Sequence, residues 1–187
     1  LATLLRGGEL EPPVDGNVFA QWCRDRAEVD RTPAREFWRE RVASMPLDPP
    51  VVLGPGDGRF QRRRVELPPQ QWAQVRAQAQ EAGLTPTAWI ADLLGQAVGT
   101  SDAFPVVLTT TERPEEWAGV VGDFSGTMVL VIDPAVPEGE RRAALRDQYW
   151  SVLEHASGAG VHGNEVLRMA RDRDARVRLP IVISSAL

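Results

Sequence analysis

Two β-branched runs, Phe104 to Thr111 and Thr127 to Ile132, constrain this chain more than anything else in it. Their length and branching fit a pleated, half-buried strand. Alternation puts Phe104, Val106, Leu108 and Thr110 on one face of the first run, and Val107, Thr109 and Thr111 on the other. Between the runs stands Val120-Val121-Gly122-Asp123-Phe124-Ser125, a glycine turn whose carboxylate is one step from an aromatic ring and two from a hydroxyl. Helical stripes flank the pair. Phe19, Trp22, Cys23 and Ala27 form the first. Phe37, Trp38 and Val42 form the second, behind a Thr32 cap and Pro33. Trp72, Val75 and Ala79 follow Pro68-Pro69 and stop at Gly83. Ile90, Leu93, Leu94 and Ala97 follow a Thr85 cap and Pro86, and stop at Gly99. A long helix from Pro137 to Ser157 carries Leu145, Tyr149, Val152 and Leu153, a short one spans Asn164 to Arg173, and Pro180 to Ile183 reads as a last strand. Helices alternating with strands predict an α/β lobe with helices packed on a mixed, open sheet.

The segment from Met45 to Leu53 cannot be helix, because Pro46, Pro49 and Pro50 remove donors and hold the backbone extended. Gly54-Pro55-Gly56-Asp57-Gly58 reads as a turn and lacks the lysine of a phosphate loop. Phe60 to Leu67 reads as an edge strand, with Arg62, Arg63 and Arg64 split between its faces. At 187 residues, 43% hydrophobic and 25% charged, the chain is long enough for one domain with a core. A net charge of -5 gives no reason to expect nucleic acid or an anionic membrane as partner. No apolar run approaches the roughly 18 residues of a spanning helix, and Leu1 to Leu5 is too short for a signal peptide. Cys23 is the one cysteine, so no internal disulfide forms and a cytoplasmic setting is the default. A start inside a helical-looking run and an end on an apolar strand predict a piece of a larger fold.

The usual catalytic constellations are sparse. His155 and His162 lie seven residues apart across a glycine-rich break, a poor match to metal-ligand spacing. Ser184-Ser185 has no partner base in view, and Cys23 beside Trp22 reads as a small apolar residue. What remains is Asp123 near a threonine-rich strand end. It is either a turn acid capping local amides or a cleft carboxyl with a raised pKa, suited to general acid–base work.

The ordered motifs resemble the heterocyclization domains of nonribosomal peptide synthetases, variants of the condensation domain. Phe37-Trp38-Arg39-Glu40-Arg41 with the proline-spaced run to Leu53 is similar to one family stretch, and Gly83-Leu84-Thr85-Pro86-Thr87-Ala88 to another. Phe104 to Arg113, Gly122-Asp123-Phe124-Ser125 and Pro180 to Leu187 follow in family order. The resemblance implies two lobes like chloramphenicol acetyltransferase, with a tunnel between them. Residues 1–58 would be the helical tail of the N-terminal lobe plus a linker, and 59–187 the C-terminal lobe. It implies an enzyme that needs the other lobe, forms an amide onto a carrier-bound Cys, Ser or Thr, and cyclodehydrates it to a thiazoline or oxazoline. Upstream and downstream peptidyl carrier proteins would deliver substrates on phosphopantetheine, with no cofactor or metal of the domain's own. Asp123 and Thr109 would be catalytic, and Ser125, Phe124 and Arg113 would bind substrate. The chain departs from the family at Val107, where an asparagine is usual, at Ser125 for a threonine, and near Thr100, where a tryptophan is usual. The first-lobe Asp-x-x-x-x-Asp motif is not in this chain. A degenerate docking module and an ordinary condensation domain are the alternatives.

Overall fold

The structure is a computed structural model and describes residues 17–48, 50, 59, 61–98, 101–156 and 161–184. Its elements in chain order are α1 (Asn17–Glu28), α2 (Thr32–Ser44), α3 (Pro69–Glu81), α4 (Pro86–Val98), β1 (Phe104–Thr111), β2 (Ser125–Ile132), α5 (Glu138–Ala156), α6 (Gly163–Arg173) and β3 (Val182–Ile183). A 3-10 turn, Glu115–Trp117, interrupts the β1–β2 connection. The sheet order is β2-β1-β3. β2 runs antiparallel to β1 from Phe104 opposite Ile132 to Thr111 opposite Ser125, and β3 runs parallel to β1 at Val107 and Leu108. The mixed sheet with packed helices is the α/β architecture read from the sequence.

Because β1 is central, the five residues from Phe104 to Leu108 are buried on both faces. Pro105 fits inside it because β3 pairs only at Val107 and Leu108, so no partner asks Pro105 for a donor. β2 lies at the edge, and there Gln148 of α5 takes the place of a strand. Its Oε1 accepts from the Val131 N–H at 2.6 Å and its Nε2 donates to the Val131 carbonyl at 3.0 Å. Trp38, Val42 and Met45, from α2 and its end, share one apolar core with the sheet, α4, α5 and α6.

Helix ends follow local chemistry. Gly83, at φ +67, closes α3, and the Leu84 N–H donates back to the Ala79 carbonyl. Thr85 caps α4 by accepting from the Ala88 N–H at 3.2 Å. At α2 the expectation fails. Thr32 is itself helical, and its N–H is taken up by Asp30 Oδ1 at 2.9 Å.

Four further expectations are corrected. Residues 61–67 form no strand and are exposed, because no strand among the described residues pairs with them to complete a ladder. On α4 the buried face is Ala88, Trp89, Ala91, Asp92 and Gly95, while Ile90, Leu93 and Ala97 are exposed. The helix is turned so that Asp92 reaches α5 and bare Gly95 meets Ile132. On α1, Phe19, Trp22 and Arg26 turn inward and Cys23 and Ala27 stay exposed, because the helix docks on the Phe124 ring. The expected last strand narrows to Val182–Ile183, though the Ile181 carbonyl still accepts from the Val107 N–H. The expected turn at 54–58 and the boundary after residue 58 lie outside the described residues. Among the described residues no helix is long and apolar enough to cross a membrane.

Candidate functional site

The β1–β2 ladder ends at Thr111 opposite Ser125, and the Glu112 N–H donates to the Phe124 carbonyl at 2.8 Å just beyond it. This brings Gly122-Asp123-Phe124 over the end of β1. Asp123 is exposed, and its Oδ1 accepts from the Ser125 N–H at 2.9 Å. The backbone N–H and the hydroxyl of Ser125 hold the Asp123 carboxyl below the usual carboxylate range. At neutral pH it is therefore an ionised turn acid, the first of the two alternatives open from sequence, and not a proton-holding carboxyl in an apolar cleft.

Arg113 holds the loop from inside. Its Nη1 donates to the carbonyls of Trp117, at 3.1 Å, and of Val120, and Nη2 reaches the Gly122 carbonyl at 3.4 Å. The same guanidinium lies 4.3 Å over the Phe124 ring. Phe124 is 3% exposed, with Phe19, Trp22 and Trp117 around it at centroid distances of 5.1, 5.0 and 6.1 Å. Gly122 has to be glycine here, because a Cβ would run into the Phe19 ring. Arg113 and Phe124 are thus committed to protein partners that fix the shape of the turn. Arg113→Ala is expected to raise amide hydrogen exchange across residues 115–124 by roughly tenfold, about 1.4 kcal/mol of local stability, while β1 and β2 keep their protection.

Thr109 faces Thr127 across the ladder, and its hydroxyl donates to Ser184 Oγ at 3.0 Å. Asp123 lies four residues ahead of Thr127, and no hydrogen bond joins Asp123 to Thr109. The two residues therefore share one end of the strand pair without touching. Thr109, Thr110 and Thr111 line a cavity of about 340 Å³ whose far wall is the start of α4 and Tyr149 of α5. Among the described residues the hydroxyls of Thr87, Thr110 and Tyr149 on its walls have no hydrogen-bond partner.

Sequence reasoning missed Glu112. Its side chain is 9% exposed, its Oε2 is paired with Arg26 of α1, and its Oε1 lies 3.9 Å from His162 Nδ1. Burial pushes its carboxyl up against the opposing pull of Arg26. Arg26 is 86 residues away in the chain, so no local pattern reveals the pair; glycine at position 126, inside a strand, was the available signal of a close approach. His155 stacks on Phe37 at 3.8 Å, and its Nδ1 meets the Ser151 carbonyl at 2.7 Å, a packing role near a helix end. Among the described residues no three metal-binding side chains converge.

No protein-family model matches the sequence. Phenyloxazoline synthase MbtB of Mycobacterium tuberculosis is 30% identical over 208 aligned residues, which cover 100% of this chain and 14% of that protein. The chain therefore spans about a seventh of the length of that curated relative. The EpoB nonribosomal peptide synthetase cyclization-docking bidomain from Sorangium cellulosum matches with a TM-score of 0.81 at 23% identity, over 100% of this chain and 41% of that one. The nonribosomal peptide synthetase FmoA3 matches with a TM-score of 0.75 at 29% identity, over 90% of this chain and 19% of that one. A mixed sheet under helices, in the arrangement these structures share, is the condensation-domain fold. The chain is thus similar in sequence to a phenyloxazoline synthase and in fold to a cyclization domain.

Proposed function

We propose that the chain is the C-terminal lobe of a nonribosomal peptide synthetase heterocyclization domain, preceded by a tail of the N-terminal lobe. The complete domain forms an amide between an upstream acyl group and a carrier-bound Cys, Ser or Thr. It then cyclises and dehydrates the product to a thiazoline or oxazoline. Both carrier proteins present substrates on phosphopantetheine, the complementary lobe closes the tunnel, and the setting is cytoplasmic. The observation that carries this reading is the Gly-Asp-Phe-Ser turn, fixed by Arg113 and the α1 rings beside the threonine-lined end of β1.

In this reading Asp123, already ionised, takes the proton leaving the ring nitrogen, and the Thr109 hydroxyl orients the group that loses water. Ser125 keeps the carboxylate aimed through its N–H. The exposure of Asp123 also favours a second reading, a degenerate module that docks carriers without cyclising. Intact mass of the product on the downstream carrier separates the two in the complete domain with loaded carriers. Loss of one water beyond that of amide formation is the expected result, and transfer stopping at the amide mass would sink heterocyclization. Asp123→Asn is expected to slow ring formation by roughly 10²-fold while amide still forms. An unchanged ring yield would remove Asp123 from the mechanism.

A further inference from the structure

Loss of water from the cyclised intermediate needs a proton on the departing hydroxyl, and Asp123 does not hold one at neutral pH. Glu112 is the neighbouring carboxyl at this end of the strand pair, and burial pushes its pKa up where that of Asp123 is held down. Its Oε1 and the Thr110 hydroxyl each lie 2.6 Å from the point where a side chain on Gly126 would begin. Carboxyl and hydroxyl therefore share the space over a strand residue that has none, and Thr110 also lines the cavity at the end of β1. A larger residue at 126 would displace both groups, which gives glycine a function inside this strand.

The charges around this carboxyl come from every side. Arg26 of α1 pairs with Oε2, and His162, just ahead of α6, presents Nδ1 to Oε1 at 3.9 Å. That Nδ1 is buried without a hydrogen-bond partner among the described residues. Burial, then Arg26 and Arg31, push the His162 ring below its usual pKa, and only Glu165 opposes them. A neutral imidazole contributes no charge to keep Glu112 ionised. Arg26 alone pulls that way, and burial outweighs it.

We propose that Glu112, seated beside Thr110 over Gly126, is the proton donor of the dehydration step; this rests on the heterocyclization reading above. In the step the bond from the ring carbon to its hydroxyl oxygen breaks, and the oxygen leaves as water with the Glu112 proton. The ring nitrogen supplies the electron pair of the new C=N bond, and its proton passes to the Asp123 carboxylate. Solvent then returns one proton from Asp123 to Glu112, so nothing is consumed.

The test uses the complete domain, with both lobes and both loaded carriers, and follows amide and ring product by intact mass across pH. Wild type is expected to lose ring formation as pH rises through the Glu112 pKa. Glu112→Gln is expected to slow ring formation by roughly 10²-fold or more, with uncyclised amide accumulating. Amide on the carrier shows that the variant is folded. Arg26→Gln, which removes the charge favouring ionised Glu112, is expected to move that limb to higher pH. Ring formation by Glu112→Gln at the wild-type rate would overturn the proposal. A fall of amide and ring together, in step with Tm, would also overturn it and leave Glu112 as a tie between α1 and β1. Wild type that stops at the amide would sink the heterocyclization reading itself, and the proposal with it.

Discussion

Asp92→Ala is expected to destabilise the chain by about 3–5 kcal/mol, read as a fall of roughly 6–20 °C in Tm for a domain of this size. Asp92 is fully buried in the middle of α4, where an acid is a poor helix former. Arg141 Nε donates to its Oδ1 at 2.6 Å, and Arg142 Nε and Gln96 Nε2 donate to its Oδ2 at 3.0 and 3.2 Å. Arg141 is itself 7% exposed, and its Nη1 donates to the Val136 carbonyl at 2.9 Å. Truncating the acid leaves a buried guanidinium with its opposing charge gone, a far larger cost than losing a surface pair. Arg142 is less buried, stacks 4.0 Å over the Trp89 ring and also pairs with Glu138, so Arg142→Ala should cost much less. Equal effects of Asp92→Ala and Arg142→Ala in thermal melts would show that the buried Arg141 partnership is not what matters.

Trp38→Ala is expected to cost about 3–5 kcal/mol through cavity formation. Trp38 is fully buried, packs edge-on to Phe37 and belongs to the same apolar core as the β1 and β2 side chains. Arg173 of α6 fastens the same region by donating to the carbonyls of Val42 and Met45 at 2.8 and 2.7 Å. The indole Nε1 is buried without a partner among the described residues. Trp38→Phe therefore exchanges a small loss of packing for relief of an unsatisfied donor, and its Tm should stay close to wild type. Urea unfolding gives the check. A Trp38→Ala midpoint near wild type would mean that α2 rests on the sheet without sharing its core.

The strands, the helices and the α/β order of this chain were legible because each rests on a local pattern. β-branched runs mark β1 and β2, Gly83 and the Thr85-Pro86 pair mark helix ends, and Gly122-Asp123-Phe124-Ser125 marks the turn. The residues 61–67 were misread for the same reason: alternation over a few residues looks like a strand until a partner strand is required. The rotation of α4 was misread because apolar spacing alone favoured Ile90 and Leu93, whereas an ion cluster and a glycine contact set the buried face.

By itself, then, the amino-acid sequence determined where the backbone turns, which segments are helix or strand, and which family the ordered motifs resemble. Those properties depend on propensities and spacings within about ten residues of one another. Only the tertiary structure decided the charge state and company of the acids: Asp123 is an exposed, low-pKa turn residue, and Glu112 is buried against Arg26 and His162. The ionisation of a carboxyl depends on its burial and on charges brought from distant segments. Arg26 and His162 reach Glu112 only when α1 and the start of α6 close on the end of β1.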